Sequence, residues 1–336
     1  MIEKFIENEL TLKRWRRFKK RKSAIAACIF LFASLLLTAA APLIANSKPI
    51  YMTYQGKSYF PVFKDYHPRD FGITNVYVTD YRKLDMDSAI WPIVRWDPYE
   101  SNKDVYEYPA PPSDENIMGT DDRGRDVFTR LLYGYKYSIA YAFLVWLLST
   151  VMGVFFGGIM GYFGGKVDFF GQRVVEIFST VPVFLLLLTM ISIFKPTLTL
   201  LIFISSIFGW MGMSYYARGE FLKNRKQEFV EAARGMGAST SRIIVKHILP
   251  NSLGPIITFA PFSIAAGISG LASLDYLGFG LAVPTPSWGE LLNQAHQNFR
   301  IAWWLAVYPS AALFTSLFLL VLVGDGVRDA LDPKMQ

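Results

Sequence analysis

Four groups of residues in this chain have types and spacings that chemistry uses. Asp121, Asp122 and Asp126 lie close together and would offer carboxylates to a divalent cation. Gly164-Gly165-Lys166-Val167 has the outline of a phosphate-cradling loop. Cys28, His67, His247 and His296 are the thiol and imidazole groups of metal or nucleophilic sites. Glu176 is a carboxylate in an apolar stretch, where an ionisable group is by default a functional candidate facing a cavity. The first three groups fail on their surroundings. Arg123, Arg125 and Arg130 interleave with the aspartates and argue against a metal. Met160 stands where a nucleotide-binding loop needs its first glycine, and Val167 where it needs Ser or Thr. The single cysteine excludes an internal disulfide and a paired-cysteine metal site, and the three histidines are far apart in sequence. No metal, cofactor or catalysis is expected of this chain. Glu176 keeps two readings: pairing with Arg173 one helical turn away, or lining a pathway.

The elements around these groups point to a bilayer. Of 336 residues, 52% are hydrophobic and 18% charged, against about 25% charged in a soluble globular chain. The deficit is concentrated in six apolar stretches, roughly 24–45, 137–163, 172–194, 197–217, 253–275 and 301–324. Each approaches the ~20 residues that a helix needs to cross the hydrocarbon core. Their backbone groups must be satisfied internally, so all six are read as helices. Lys195-Pro196 makes a turn between the third and fourth, and Pro182 should kink the third. The fifth is crowded with Ala265, Ala266, Gly267, Ser269, Gly270, Ala272 and Ser273. Such residues permit close helix packing, and Ser269 and Ser273 would equally line a polar path with Glu176. Asp275, at the outer end of this span, is expected to be solvated at the interface.

The +7 net charge is not a nucleic-acid signal. Much of it lies in the block Lys13 to Lys22, abutting the first span, where it reads as a topology signal and an attraction to anionic membrane lipid. Basic residues in residues 1–23, the loop after the second span, the loop 218–251 and the tail 325–336 place all of these in the cytoplasm. The long segment 46–136 is then extracytoplasmic. The first span is read as an uncleaved anchor, since its apolar run exceeds a signal-peptide core, although Ala39-Ala40-Ala41 has the form of a cleavage site.

The 46–136 segment is rich in Pro, Asp and aromatic residues. Ile50 to Tyr54, a Gln55-Gly56 turn and Lys57 to Phe60 predict a hairpin. A folded cap at the membrane face and a docking surface for a binding protein both fit its aromatic clusters. Residues 119–134 predict an amphipathic surface helix, capped by Thr120 or Asp121, with Asp126 and Arg130 paired at i,i+4.

The most patterned soluble segment lies between the fourth and fifth spans. Phe229, Val230, Ala232, Ala233 and Met236 give a short helix an apolar face, and Glu228, Glu231 and Arg234 a charged one. Gly235 and Gly237 disfavour continuation, Ser239 can cap a second helix over 240–249, and Pro250 should stop or kink that helix where the fifth span begins. The result is a short surface helix on a stiff elbow, able to transmit a push from a soluble partner.

The spacing Glu231-Ala232-Ala233, then Gly237, then Pro250 resembles the cytoplasmic EAA loop of ABC importer permeases. Gly119 to Asp126, Leu274 to Gly280 with Pro284 to Gly289, and the tail Gly324 to Pro333 resemble the "C"-type subunit of the oligopeptide/dipeptide permeases. Loop segments such as Tyr54-Gln55-Gly56 and Thr79-Asp80-Tyr81-Arg82 look like the Yej-type branch, associated with peptides and microcin C. The resemblance implies an all-α polytopic protein of the bacterial inner membrane, with six spans, a type I ABC importer permease fold and a mixed extracytoplasmic loop domain over 46–136. It implies a five-helix core over 137–324 and half of a translocation pathway for peptides or peptide-like solutes. The implied partners are a second permease, a separate ATPase and a periplasmic substrate-binding protein. Glu231, Ala232, Ala233, Gly237 and Pro250 would then form the ATPase-coupling loop. An ion-coupled transporter or channel would predict carboxylates deep in the spans and internal repeats; Glu176 alone is thin support, and no repeat is seen.

Overall fold

The computed structural model describes residues 9–74 and 77–331. Residues 1–8 of the basic N-terminus, and Asp332, Pro333 and Lys334 of the tail, lie outside the described residues.

Four helices are long and apolar enough to cross a membrane: α2 (Lys22–Ala39), α4 (Val127–Phe163), α7 (Leu198–Asn224) and α13 (Trp303–Leu331). Two bent pairs bring the number to as many as six if each pair is one span. The first pair is α5 (Gly165–Ser179) with α6 (Val183–Ile193), bent by 60° where Pro182 enters α6 as its N-cap. Proline lacks the N–H that would continue α5 and fixes the chain direction there. Lys195-Pro196 lies between helices, and Thr197 caps α7 by accepting from the Leu200 N–H at 3.2 Å.

The second pair corrects an expectation. A short helix α9 (Thr240–Arg242), a π-helical turn Ile243–Ile248 and α10 (Leu249–Thr258) run on without a break and meet α11 (Ala260–Tyr276) at a 49° bend. The bend falls at Phe259, nine residues beyond Pro250. The wider π register just ahead of Pro250, in which the Leu249 N–H donates to Ile244 O, carries the helix through the proline.

The 119–134 expectation is also revised. Residues 119–126 form turns and isolated bridges, and α4 starts only at Val127. Gly124 has φ +74°, and a Cβ there would sit 2.3 Å from the Tyr108 ring, so no helix can run through it. Asp126 caps α4, accepting from the Thr129 N–H at 2.7 Å, and does not pair with Arg130.

The chain forms two compact units, Met1–Leu31 with Ile139–Leu271 and Thr315–Gln336, and Phe32–Ser138 with Ala272–Phe314. In the first unit α7 packs against α5, α6 and α10. Gly153, Gly157 and Gly161 put a smooth stripe of α4 on the backbone of α7: a Cβ at Gly157 would lie 2.3 Å from Ser214 O. This small-residue spacing is the usual device for close helix approach in a membrane. The basic helix α1 (Glu9–Lys20) and the start of α2 meet the end of α13, where Arg21 pairs with Asp329 and Gly326 leaves room for Ala24 and Phe18.

The second unit carries a short α3 (Ala41–Ile44) and an antiparallel sheet ordered β2-β1-β3. Strands β1 (Tyr51–Tyr54) and β2 (Lys57–Tyr59) are the expected hairpin about Gln55-Gly56; β3 (Ser88–Ile90) joins the other edge. Met52, Phe71 and Tyr81 form its core, with Tyr54, Tyr59 and Tyr66 packed around them. Helix α12 (Trp288–Gln297) completes the unit.

Candidate coupling interface

Helix α8 spans Glu228–Gly235 and is too short to be stable alone. Two side chains hold it. Val230 and Ala233, one turn apart, are buried against Phe221 of α7 and Ile243 and Ile248 of the π-helical turn. Glu228 and Glu231 occupy its first turn and complement the helix dipole. At the other end, the Gly237 N–H donates to Arg234 O at 3.0 Å and the Ala238 N–H to Ala233 O at 3.1 Å. These are the two bonds of a Schellman motif, with Gly237 in the left-handed position at φ +77° and Ala238 touching the buried cluster. Ser239 then caps the next helix through the Arg242 N–H.

The apolar residues of α8 therefore divide into two stripes. Val230 and Ala233 face inward. Phe229, Ala232 and Met236, spaced by three and four, face outward, and Met236 is 81% exposed. Glu231 and Arg234 flank this outer stripe, and among the described residues neither is in an ion pair. The sequence placed all five apolar residues on one face; burial separates them, because only positions 230 and 233 point at α7. Pro250 is exposed at the start of α10, in the same helical elbow.

The residues read as pathway-lining lie on two helices, α5 and α11. Glu176 is exposed on α5 and pairs with Arg173 at 2.6 Å, the structural of its two readings. Ser269 is half-buried and Ser273 exposed, on successive turns of α11.

The inner-membrane component of binding-protein-dependent transport systems is the family whose model matches residues 153–336. The N-terminal transmembrane domain of oligopeptide transport permease C matches residues 12–61. An inner membrane ABC transporter permease protein, YejE, of Escherichia coli K12 is 38% identical over 96% of both chains. The chain belongs to this permease family. A peptidoglycan transport system permease protein YejE of Agrobacterium fabrum is 33% identical, over 96% of this chain and 93% of that one. A dipeptide transport system permease protein, DppC, of Bacillus subtilis is 35% identical over 68% and 72%. A chain of the inward-facing MetNI methionine ABC transporter matches in fold, with a TM-score of 0.50 at 18% identity, covering 60% of this chain and 96% of that one. The permease is thus a multi-pass inner-membrane protein with the type I importer fold, and an ion-coupled transporter or channel is not favoured.

A second cluster of the permease escaped the sequence reading. Asp121 pairs with Arg125 at 2.6 Å and with Arg130 at 3.3 Å. Glu290 of α12 pairs with Arg125 at 3.0 Å and also with Arg130. The four charges alternate in a closed ring, and both arginines and Asp121 are almost fully buried. Burial alone would lower the Arg125 guanidinium, but Asp121 and Glu290 beside it hold it above its ordinary value. Burial raises the Asp122 and Asp126 carboxyls; Asp126 is satisfied by Asn116 and Thr129. The ring ties α12 to the start of α4, with Trp288 Nε1 donating to Leu131 O at 2.9 Å. Asp275 belongs to the same assembly. It is buried rather than solvated, and accepts from Ser287 Oγ at 2.5 Å and the Leu281 N–H at 2.6 Å. No local pattern reveals the ring, since Arg130 and Glu290 are 160 positions apart.

The 46–136 segment also holds a cleft of about 780 Å³ with walls of both charges, among them Asp80, Arg82, Lys103 and Glu115. Arg82 lies over the Trp96 ring at 4.2 Å and pairs with Glu100.

Proposed function

We propose that this permease forms half of a translocation pathway for peptides or peptide-containing solutes, and that a separate ATPase drives it through α8. The observation that carries this reading is the outer stripe of Phe229, Ala232 and Met236, exposed beside Glu231 and Arg234. The stripe is kept rigid from beneath by Val230 and Ala233 and closed off by the turn at Gly237. A soluble face that is apolar, charged at its edges and fixed to a membrane helix suits a partner that must push that helix. Phe221 of α7 is the contact through which the push would enter the bundle. Closure of the ATPase domains would favour one of two arrangements of the spans, so the energy enters as a difference in stability between states.

In this reading the loop 218–251 and both termini are cytoplasmic, and 46–136 faces the periplasm with a substrate-binding protein. The mixed charge of the cleft beside Trp96 supports its use in receiving that protein or its cargo. A second permease subunit supplies the other half of the pathway. Peptide-like cargo is supported by the relatives, whose names carry dipeptide, oligopeptide, glutathione and peptidoglycan transport. Replacing Phe229 and Met236 together by Asp tests the docking claim. The variant should insert into the membrane normally and lose the co-purifying ATPase; full retention of the ATPase would refute it. Competition of labelled tripeptide import by unlabelled peptides, but not by sugars, would be expected of the proposed cargo class.

A further inference from the structure

Beside the α8 elbow, α1, α7, α10 and α13 enclose a cleft of about 560 Å³. Three cations from three separate helices line it: Arg14 of α1, Lys223 of α7 and Arg328 of α13. Glu220 is the one carboxylate among its lining residues. Among the described residues, none of the three cations is in an ion pair. Nearby arginines are paired, Arg21 between α1 and α2 with Asp329, and Arg218 of α7 with Asp168 at 2.5 Å. The cleft therefore keeps a net positive charge, with Glu220 offsetting one of the three cations. Pro250 and Pro255 on the α10 wall carry no N–H, and Gly254 and Phe259 complete an apolar flank. Recognition in this cleft thus rests on net positive charge, with the apolar flank interrupted by Asn251 and Thr258.

The cleft lies where apolar helices end. Arg14 is eight residues ahead of α2, Lys223 is one residue from the end of α7, and Leu331 is the last residue of α13. That is the depth at which lipid headgroups sit, and basic pockets between transmembrane helices are suited to anionic headgroups.

We propose that this cleft holds the phosphate of an anionic phospholipid headgroup, with its acyl chains along the Phe259 side. The binding follows from the geometry of the cleft; its assignment to the cytoplasmic leaflet alone rests on the orientation proposed above. The lipid would lie against Phe229 and Pro250, at the elbow that carries α8.

The test uses the purified transporter complex, stripped of loosely held lipid, offered phosphatidylglycerol or phosphatidylcholine, and read by native mass spectrometry. Retention of phosphatidylglycerol and not phosphatidylcholine is expected. Each cation near a membrane surface contributes about fivefold to binding, so Arg14→Gln/Lys223→Gln/Arg328→Gln should weaken retention on the order of a hundredfold. Lys166→Gln/Arg242→Gln/Lys246→Gln removes the same charge from exposed positions outside both the cleft and the Lys13 to Lys22 block and should change it little. Arg14→Lys/Arg328→Lys should keep most of the retention, which separates lost charge from lost fold. Unchanged retention in the cleft variant overturns the proposal, as does an equal loss in the control, which would assign the lipid to bulk surface charge. Inorganic phosphate supplied to the lipid-free complex should not bind with the same dependence on the three cations; if it does, a soluble anion is the ligand. A cross-link from Lys223 to the ATPase in place of bound lipid would likewise overturn the headgroup assignment.

Discussion

Replacing Gly237 tests the elbow with a perturbation whose size can be worked out. Its φ of +77° lies in the left-handed region, where an L-residue costs about 1–2 kcal/mol and a β-branched one is a marked outlier. A Cβ there would meet nothing within 4 Å, so no clash adds to this. The opposing term is the hold on α8. Burying Val230 contributes about 1.5–3 kcal/mol, and each Schellman hydrogen bond about 0.5–1.5 kcal/mol. Gly237→Val therefore competes with the attachment of α8, while staying small beside the ~5–15 kcal/mol that holds a folded domain together. The expected outcome is a variant that inserts and assembles at wild-type levels but loses import and the stimulation of ATP hydrolysis by loaded binding protein. Gly237→Asn, which tolerates the left-handed conformation, should retain most of both. Gly235→Ala should be neutral or slightly stabilising, since Gly235 is the last helical residue, its φ is not positive and its Cβ would stand in open space. The reasoning fails if Asn is as damaging as Val, or if Val leaves stimulation intact.

Three further predictions concern other parts of the permease. Glu290→Gln leaves two buried arginines short of a counter-charge and should cost about 3–5 kcal/mol, read as a drop in the thermal midpoint of the purified complex. Arg173→Gln breaks an exposed pair and should stay within about 1 kcal/mol; equal shifts would contradict the role given to burial. With the half-buried Cys28 replaced by Ala, a cysteine at the exposed position Ser58 should react with a membrane-impermeant reagent in intact cells, and one at Ser241 only after permeabilisation, the reverse pattern overturning the proposed orientation. Replacing 51–90 by a short linker removes the sheet but spares Trp96 O and Pro98 O, which accept from Thr129 and Arg130. That variant should assemble with its ATPase and capture the binding protein less well; import at the normal rate would remove the cap from the mechanism.

What the sequence made legible was what depends on neighbours along the chain. Apolar run length marked the four long helices and the two bent pairs, Pro182 marked the bend between α5 and α6, and Gln55-Gly56 marked the hairpin. Gly237 announced a turn because few other residues enter the left-handed region. What stayed hidden depends on long-range contact. Glu290 has no local signal that it will meet Arg125 and Arg130, so Asp121 and Asp126 read as surface charges when they are buried. The inward and outward stripes of α8 are equally apolar, and only the position of α7 tells Val230 from Phe229. Pro250 predicted a break by its missing N–H, but a π-helical turn before it moved the bend to Phe259. The stripe Gly153, Gly157 and Gly161 was readable from its spacing of four, and was passed over for the small residues of α11.

The central claim is that α8 is where an ATPase meets this chain. A photo-reactive amino acid placed singly at Phe229, Met236 and Val230, in the complex reconstituted with its ATPase, tests it most directly. The account predicts cross-links to the ATPase from positions 229 and 236, which point outward, and none from position 230, which is buried against α7. Cross-linking from none of the three, in complexes that still hydrolyse ATP in response to loaded binding protein, would contradict it.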